Sequence, residues 1–146
     1  MKVIIIGGVA GGASCAARLR RLDEKAEILM VERGPYMSYA NCGLPYHVGG
    51  VIEKESSLLV GSEQMFKAMF NIDARTNCEA IDISAKEKTV TLKDVKTGKI
   101  TKEAYDNLLL SPGAVSVRPP LPGIDLPGIF HVRTVPDVKT INEWIK

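Results

Sequence analysis

Three cysteines, Cys15, Cys42 and Cys78, carry the side chains of this sequence that could act as nucleophiles in redox chemistry. Their odd number, their wide spacing and the lack of a C-x-x-C pair argue against a disulfide framework. Metal binding is not expected, because only His47 and His131 are available and no ligand spacing is present. Cys15 falls in a predicted helix and Cys78 in a predicted strand, where we expect small buried hydrophobic residues. Cys42 is therefore the candidate nucleophile.

Cys42 lies in a polar loop that begins at Gly34-Pro35. Asn41 or Cys42 could cap a short helix here, with Pro45 accommodated in or near the first turn. A sulfur at a helix N-terminus is stabilised as the thiolate, which lowers the pKa of the thiol. A buried structural cysteine is the alternative, and the residue types leave both interpretations open.

A second chemical pattern is the glycine turn Gly7–Gly12, GGVAGG, between a predicted strand and a predicted helix. After its first residue, Lys2–Ile6 is a continuous apolar, β-branched run, typical of a strand buried on both faces. Ala13–Leu22 favours helix, and a second apolar run, Ile28–Val31, ends in Glu32. Strand, glycine turn, helix, strand and terminal acid describe a dinucleotide-binding βαβ unit.

Each part of this unit has a physical role toward a nucleotide. Gly7 allows the tight turn, while Gly11 and Gly12 let the backbone approach a pyrophosphate and the helix pack on the sheet. The helix N-terminus offers N–H groups and a positive dipole end to the phosphates. Glu32 lies 20 residues beyond Gly12, the offset of a carboxylate that accepts hydrogen bonds from a ribose diol. Val9 departs from the pattern by replacing the middle glycine, and a structural turn that binds nothing is the alternative.

The rest of the chain predicts further elements of an α/β domain. Ser62–Phe70 is a short amphipathic helix with Ser62 as its N-cap. Three β-rich segments with short connections suggest an antiparallel meander: Asn77–Ile83, Thr89–Val95 and Ile100–Tyr105. Asn107–Leu110 is a short buried strand followed by a turn. Near the end of the sequence we expect an extended loop at Pro119–Gly123, a strand at Ile129–Val132 and a helix at Pro136–Ile145.

Composition and charge narrow the class of protein. The 146 residues suffice for one domain with a single core, and 25% charged and 45% hydrophobic residues are ordinary for a soluble globular protein. A net charge of +2 without a long basic block disfavours nucleic acid as a partner, and no apolar run approaches the length that crosses a membrane. Met1–Ser14 before Cys15 superficially resembles a lipoprotein signal, but glycines interrupt it and an Arg-rich helix follows. We therefore expect a cytoplasmic protein.

The segment SYANCGLPY, preceded by VERGPYM, resembles the single-cysteine branch of the FAD-dependent pyridine nucleotide-disulfide oxidoreductases. The signature of that branch is a serine four residues before one redox cysteine, matched here by Ser38 and Cys42. The two-cysteine branch needs a partner five residues away, where this sequence holds Met37 and His47. The resemblance implies that Cys42 is the catalytic thiol, with Ser38 and Asn41 as its catalytic neighbours.

Within that branch, ANCGLPY together with GGVAGG resembles the coenzyme A-disulfide reductase group most closely. Oxidase and peroxidase members carry a histidine in the glycine turn, at the position of Ala10. The resemblance implies that the path of coenzyme A is lined by Ser14, Arg18, Arg21, Ser38 and Asn41. Arg18 and Arg21 lie three residues apart on one helix face, which suits phosphates, although a solvated helix face would have the same spacing.

The resemblance also implies FAD as the cofactor and no metal. The residues that match FAD-contacting positions of the family are Gly7, Gly8, Val9, Ala10, Gly11, Gly12, Glu32, Arg33, Cys42, Glu79, Ala80, Ser111, Pro112, Gly113 and Arg133. Family members usually meet the adenine with the backbone that corresponds to Cys78, Glu79 and Ala80. The turn at Ser111 resembles the second FAD motif, although Ser111-Pro112 replaces the common Ala-Thr.

The resemblance covers essentially all 146 residues, which correspond to only the first third of a family member. It implies an α/β fold, a Rossmann-like parallel sheet with an antiparallel β-meander at about 77–105, as the N-terminal part of a FAD-binding domain. Residues 115–146 would lead out towards an NAD(P)H domain that is absent from this chain. The intact protein is expected to be a homodimer that uses NAD(P)H to reduce coenzyme A disulfide, a persulfide or a polysulfide. The alternatives are an NADH oxidase or peroxidase and a non-catalytic flavin-binding module; the chain alone is expected to be inactive.

Overall fold

The computed structural model describes residues 1–145, which form two compact units. The first comprises Met1–Tyr39 and Gly61–Gly113, and the second comprises Ala40–Val60 and the residues from Ala114 onward. In chain order the strands are β1 (Lys2–Ile6), β2 (Glu27–Val31), β3 (Ser38–Tyr39), β4 (Leu59–Gly61), β5 (Asp73–Arg75), β6 (Cys78–Ser84), β7 (Thr89–Asp94), β8 (Ile100–Ala104) and β9 (Asn107–Leu110). The helices are α1 (Ala10–Leu22), α2 (Leu44–Val48), α3 (Glu63–Phe70) and α4 (Val135–Ile145), with 3-10 turns at Asn41–Gly43 and Glu55–Leu58.

The first unit is built on a parallel sheet with the strand order β5-β2-β1-β9. The central strand β1 pairs with β2 on one side and with β9 on the other, so that Ile4 lies opposite Leu29 and Leu108. Ile4 and Ile5, which point to opposite faces, are both fully buried because β1 is covered on both sides. This sheet confirms the α/β, Rossmann-like class.

Alternate residues of the sheet pack against different layers. On one face, Ile5 joins a core that includes Ala16 of α1 and Phe66 of α3. On the other face, Ile4 packs into a second core with Val90 of β7. The sheet is therefore sandwiched between two helices and the meander, and the carboxyl ends of β1, β2 and β9 meet at one edge.

Strands β6, β7 and β8 form a separate antiparallel sheet in sequence order, as the predicted meander requires. Val90 of β7 lies opposite Ile83 and Glu103, and a bulge between Ala80 and Asp82 shifts the register. Each strand of the meander begins or ends within one residue of its predicted bound. The β-rich composition of the segments and their short connections therefore located these strands correctly.

Glu103 of β8 ties the meander to the parallel sheet. Its carboxylate accepts from Lys2 Nζ at 2.8 Å and from Arg75 Nη1 at 3.3 Å. Arg75 is also paired with Asp73 at 2.6 Å. The Lys2 hydrogen bond holds the pKa of Glu103 below its usual value, with a smaller contribution from Arg75.

The second unit contains α2, α4 and the two 3-10 turns. Helices α2 and α4 pack together, and the buried apolar side chains of the unit are Leu44, Leu58, Val135, Val138 and Ile141. Helix α4 begins one residue before the predicted Pro136, and Asp137 in its first turn accepts from the Thr134 backbone N–H at 2.7 Å. Within residues 1–145, no helix has the length and apolar character needed to span a bilayer.

Four predictions about these elements are wrong. Strand β9 has its predicted bounds but is not buried: Asn107 and Leu110 are exposed and the two residues between them are half-buried, because β9 lies at the edge of the sheet. Helix α1 begins at Ala10 rather than Ala13, because its glycines are required by close packing although they are poor helix formers. Ile129–Val132 is not a strand; Ile129 bonds instead to Leu126 O in a turn, and the described chain offers this segment no pairing strand. Cys15 and Cys78 are half-buried rather than fully buried.

Candidate functional site

The glycine turn lies directly at the carboxyl end of β1. Gly7 has a φ of 99°, and its N–H donates to Val31 O of β2 at 2.8 Å. A Cβ at Gly7 would collide with the carbonyl oxygen of Ser111. Only glycine combines this left-handed conformation with such a close approach of two backbones.

Gly12 allows α1 to lie against the turn that precedes it. A Cβ at Gly12 would collide with the carbonyl oxygen of Gly7 and come within 3.0 Å of Ile5 Cγ2. The N-cap of α1 is Val9, which makes no side-chain capping hydrogen bond. The N-terminus of α1 therefore presents backbone N–H groups that no capping side chain covers, as phosphate binding requires.

Glu32 follows β2 and holds the turn through both of its carboxylate oxygens. Oε2 accepts from Gly8 N and Oε1 accepts from Gly34 N, each at 2.9 Å. Each carboxylate oxygen has two lone pairs, so these bonds leave acceptor capacity for two ribose hydroxyls. The hydrogen bonds fix the carboxylate beside the glycine turn.

Ser111 brings the turn after β9 to the same place. Its N–H donates to Ile6 O at 2.8 Å, and its hydroxyl lies 3.0 Å from Ile6 O and 3.2 Å from Gly7 O. Pro112 and Gly113 follow as an exposed turn, and Gly113 has a φ of 72°. The structure thus places the predicted residues of three turns together at the carboxyl edge of the sheet.

The first residues of β6 border this edge. Cys78 N donates to Glu32 O at 2.9 Å, which sets Glu79 and Ala80 beside the end of β2. Glu79 is paired with Arg33 across 3.7 Å, and both side chains are in contact with solvent. Burial raises the pKa of the Cys78 thiol, which keeps this cysteine protonated and argues against a nucleophilic role.

Ser14, Arg18 and Arg21 are all exposed on α1, at a spacing of four and three residues. They form one stripe of the helix, as predicted. Arg20 has a different role: its guanidinium donates to four carbonyl oxygens, those of Phe70, Asn71, Asp23 and Glu24, at 2.6–3.2 Å. Sequence reasoning missed this contact, because the partners are backbone atoms that no residue type reveals.

The cysteine loop belongs to the second unit, except for Ser38, which is buried in β3 of the first. Cys42 lies inside the 3-10 turn Asn41–Gly43, and neither Asn41 nor Cys42 caps α2. The predicted cap is wrong because Gly43 occupies that position; Pro45 does fall in the first turn.

The thiol of Cys42 is exposed, which excludes the buried structural alternative. Its neighbour Gly43 is buried, and a Cβ there would come within 2.8 Å of Leu58 Cδ2. The loop is therefore fixed by Gly43 and Leu44, which leaves the sulfur accessible to a reactant. Asn41, before it, is half-buried.

Arg133 lies in the second unit just before α4. Its Nε donates to Ala114 O at 2.9 Å, and its backbone N–H donates to Asp137 Oδ2 at 3.1 Å. The guanidinium is thus held in place within its own unit. Among residues 1–145 there is no cluster of three or more potential metal-ligating side chains.

The residues of the first unit fit a bound dinucleotide. Glycines stand where side chains would fill the space around the turn, a helix N-terminus faces it, and a carboxylate with remaining acceptor capacity lies at the end of β2. A parallel sheet with such a turn defines a Rossmann-like nucleotide-binding protein. The chain belongs to the pyridine nucleotide-disulphide oxidoreductase family, which it matches over residues 1–145.

Three relatives illustrate the similarity. A coenzyme A disulfide reductase of Staphylococcus haemolyticus is 39% identical over 99% of this chain and 32% of its own length. The crystal structure of reduced CoADR-RHD from Bacillus anthracis is 51% identical, with a TM-score of 0.95 over 99% of this chain and 26% of that one. A NAD-dependent persulfide reductase from A. fulgidus is 36% identical, with a TM-score of 0.93 over 99% of this chain and 27% of that one. The chain spans about a third of the length of the curated relatives that it matches.

Proposed function

We propose that this chain is the N-terminal part of the FAD-binding domain of an NAD(P)H:disulfide oxidoreductase with a single redox cysteine. The observation that carries the proposal is the convergence of the glycine turn, Glu32 and Ser111 at one sheet edge. Membership of the family and the exposed thiol of Cys42 support it. In this assignment residues 115–146 lead towards an NAD(P)H domain, and the complete protein is a homodimer.

The residues around the turn would hold FAD. The backbone from Gly7 to Gly12 and the N-terminus of α1 would bind the pyrophosphate, and Glu32 would accept from the ribose. Glu79 and Ala80 would border the adenine, while Arg33, Ser111, Pro112, Gly113 and Arg133 complete the set that matches the family's FAD positions. Bound FAD would supply the electron chemistry, accepting a hydride from NAD(P)H and passing two electrons to sulfur.

Cys42 is the proposed nucleophile, with Ser38 and Asn41 as its neighbours along the sequence. Its thiolate attacks one sulfur of a disulfide, the S–S bond breaks, and one half of the substrate leaves as a thiol. Cys42 then carries the other half as a mixed disulfide, which two electrons from NAD(P)H release. One disulfide, one NAD(P)H and one proton thus give two thiols and one NAD(P)⁺.

The proposed substrate is coenzyme A disulfide, a persulfide or a polysulfide. The names of the S. haemolyticus and A. fulgidus relatives support this range. On α1, the exposed stripe of Ser14, Arg18 and Arg21 offers a hydroxyl and two cations that suit the phosphates of coenzyme A. Ala10 stands where oxidase and peroxidase members carry a histidine, which favours a sulfur acceptor over oxygen or peroxide.

The test uses the full-length protein. Mass spectrometry of the released ligand should identify FAD, and NAD(P)H should bleach the flavin and support reduction of coenzyme A disulfide or polysulfide. Oxygen uptake without a disulfide acceptor would indicate an NADH oxidase instead. A yellow protein that NAD(P)H does not reduce would indicate a non-catalytic flavin module.

Substitution of the cysteines tests the assignment of the nucleophile. Cys42→Ser should abolish disulfide turnover but leave flavin reduction by NAD(P)H, because a serine hydroxyl cannot form the mixed disulfide. Cys15→Ser, on the helix of the first unit, is the matched control and should keep turnover. Full turnover by Cys42→Ser, or its loss in Cys15→Ser, would contradict the assignment.

A further inference from the structure

We propose that Glu63 is a positioning residue for the nucleotide end of the FAD site, an inference that rests on the proposed function. Glu63 is the first residue of α3 and is half-buried. Its Oε1 accepts from the backbone N–H of Thr76 and, at 2.6 Å, from the Thr76 hydroxyl. One carboxylate oxygen therefore holds both hydrogen-bond donors of a residue 13 positions further along the chain.

Thr76 belongs to the corner formed by residues 75–78, where the chain leaves β5 and enters β6. The backbone of this corner makes hydrogen bonds to both the N–H and the C=O group of Glu32. Glu32 N donates to Arg75 O, and Cys78 N donates to Glu32 O, each at 2.9 Å. Any displacement of Thr76 therefore moves the main chain that carries the Glu32 carboxylate, and with it the start of β6.

The backbone conformation of Asn77 makes the corner depend on the hydrogen bonds around it. Its φ of 50° is left-handed, a conformation that asparagine adopts more readily than other residues with a side chain but that remains uncommon. Asn77 N donates to Gly34 O at 3.0 Å, and its Nδ2 lies 3.3 Å from Thr76 Oγ1. The hydrogen bonds that Glu63 makes to the preceding residue help to keep the corner in this conformation.

These contacts form a series of hydrogen bonds that links α3 to the proposed FAD site. Glu63 fixes Thr76, the corner fixes the backbone of Glu32, and the Glu32 carboxylate fixes the amides of Gly8 and Gly34. The hydrogen bonds of Glu63 go to Thr76 and not to the residues assigned to the ribose or the pyrophosphate. Its effect on FAD should therefore appear as a change in affinity rather than in the chemistry at sulfur.

A purely structural role is the competing explanation, because an acidic residue in the first turn also stabilises a helix. Ser62 provides the matched control. Its hydroxyl accepts from Met65 N at 3.2 Å and caps the same helix, whereas the Thr76 donors bond to Glu63. Ser62→Ala should thus destabilise α3 while leaving the corner intact.

The experiment measures the dissociation constant of FAD by fluorescence titration of the full-length apoprotein, together with the thermal unfolding of each variant. Glu63→Ala should weaken FAD binding about tenfold, because it leaves two donors of the corner without their acceptor. Glu63→Gln should bind FAD within about threefold of wild type, because an amide oxygen can accept from both donors. Ser62→Ala should lower the unfolding temperature and bind FAD within about twofold of wild type.

Thr76→Val keeps the assignment testable if Glu63→Ala fails to fold. It removes only the hydroxyl, so FAD binding should weaken by about threefold, and adding it to Glu63→Ala should cause little further loss. The inference is overturned if the loss of FAD affinity relative to the drop in unfolding temperature is the same in Glu63→Ala as in Ser62→Ala. It is also overturned if Thr76→Val binds FAD as tightly as wild type does. A wild-type protein that binds no FAD would instead refute the proposed function.

Discussion

The neighbouring glycines of α1 offer the sharpest test of how the turn is built. Gly12→Ala would place a methyl group on the carbonyl oxygen of Gly7, 2.9 Å from the Gly7 carbonyl carbon and 3.0 Å from Ile5 Cγ2. Gly11→Ala meets only Ser111 Cβ at 3.2 Å and Oγ at 3.9 Å, and Gly11 is exposed. The two substitutions make the same chemical change one residue apart, so a difference between them isolates packing from helix propensity.

The expected magnitudes follow from these distances. Alanine in a helix is favoured over glycine by about 1 kcal/mol. Overpacking costs about 1–3 kcal/mol. The cost of overpacking in Gly12→Ala should reach or exceed the upper end of this range, because the added methyl group collides with a backbone oxygen rather than with a side chain. We expect Gly12→Ala to lose about 2 kcal/mol net, which lowers the unfolding temperature by roughly 4–8 °C at about 2–4 °C per kcal/mol. Gly11→Ala should stay within about 2 °C of wild type, because its propensity gain offsets one tight side-chain contact.

The assay is thermal unfolding of the full-length apoprotein, followed by FAD titration of each variant. Gly12→Ala should lose both stability and FAD affinity, because a shift of the Gly7 carbonyl moves the turn. Gly11→Ala should lose affinity alone, because its methyl group stands where the backbone would approach the pyrophosphate. Equal unfolding temperatures for the two variants would refute the packing argument. Unchanged FAD affinity in Gly11→Ala would show that the pyrophosphate does not approach this residue.

Three further predictions concern charged side chains. Glu103→Gln should destabilise the protein by about 0.5–1 kcal/mol at neutral pH. Because Lys2 lowers the pKa of Glu103 in the folded state, the contribution of Glu103 is complete above its ordinary value of 4.5 and declines as pH falls below it. Denaturant unfolding at several pH values should thus show the two proteins converging in acid; a gap that is constant with pH would contradict this. Arg20→Ala should cost about 2 kcal/mol in denaturant unfolding because it removes four hydrogen bonds to main-chain carbonyl oxygens, whereas the exposed Arg18→Ala should cost less than about 0.5 kcal/mol. Equal costs would mean that the Arg20 contacts contribute little. Arg21→Ala should raise the apparent KM for coenzyme A disulfide about tenfold to a hundredfold and hardly affect inorganic polysulfide in steady-state kinetics, and an equal loss for both acceptors would assign Arg21 to the fold instead.

The sequence predicted local structure most accurately where the residue types present allow only one structural role. The bounds of β1 and β9 were predicted correctly, because a short apolar run is typical of a strand in a sheet, but only β1 is buried as predicted. The glycine turn was recognised for the same reason, since its conformation and contacts exclude a side chain at Gly7 and Gly12. The glycine turn lies beside Ser111, which is more than 100 residues further along the sequence, because β1 and β9 are adjacent parallel strands. No local sequence pattern indicates this neighbour.

The failed predictions share a dependence on tertiary partners. Ile129–Val132 has strand propensity, but a strand also needs a neighbouring strand, and the described residues provide none for it. The start of α1 was placed too late because propensity disfavours glycine, while packing against the turn demands it. The cap at Asn41 or Cys42 failed because the 3-10 turn extends to Gly43 before α2 begins.

The residues that sequence reasoning missed act on backbone atoms. Arg20 donates to main-chain carbonyls, and the Glu63 carboxylate accepts from a main-chain N–H as well as a hydroxyl. Every residue has these backbone groups, so no partner residue type marks the contact in advance. Only the length of the reaching side chain and its hydrogen-bonding atoms are specific, which makes such contacts intolerant of shortening. Glu63→Asp should therefore resemble Glu63→Ala more than Glu63→Gln, because a carboxylate one methylene shorter no longer reaches both donors of Thr76, even though its charge is unchanged.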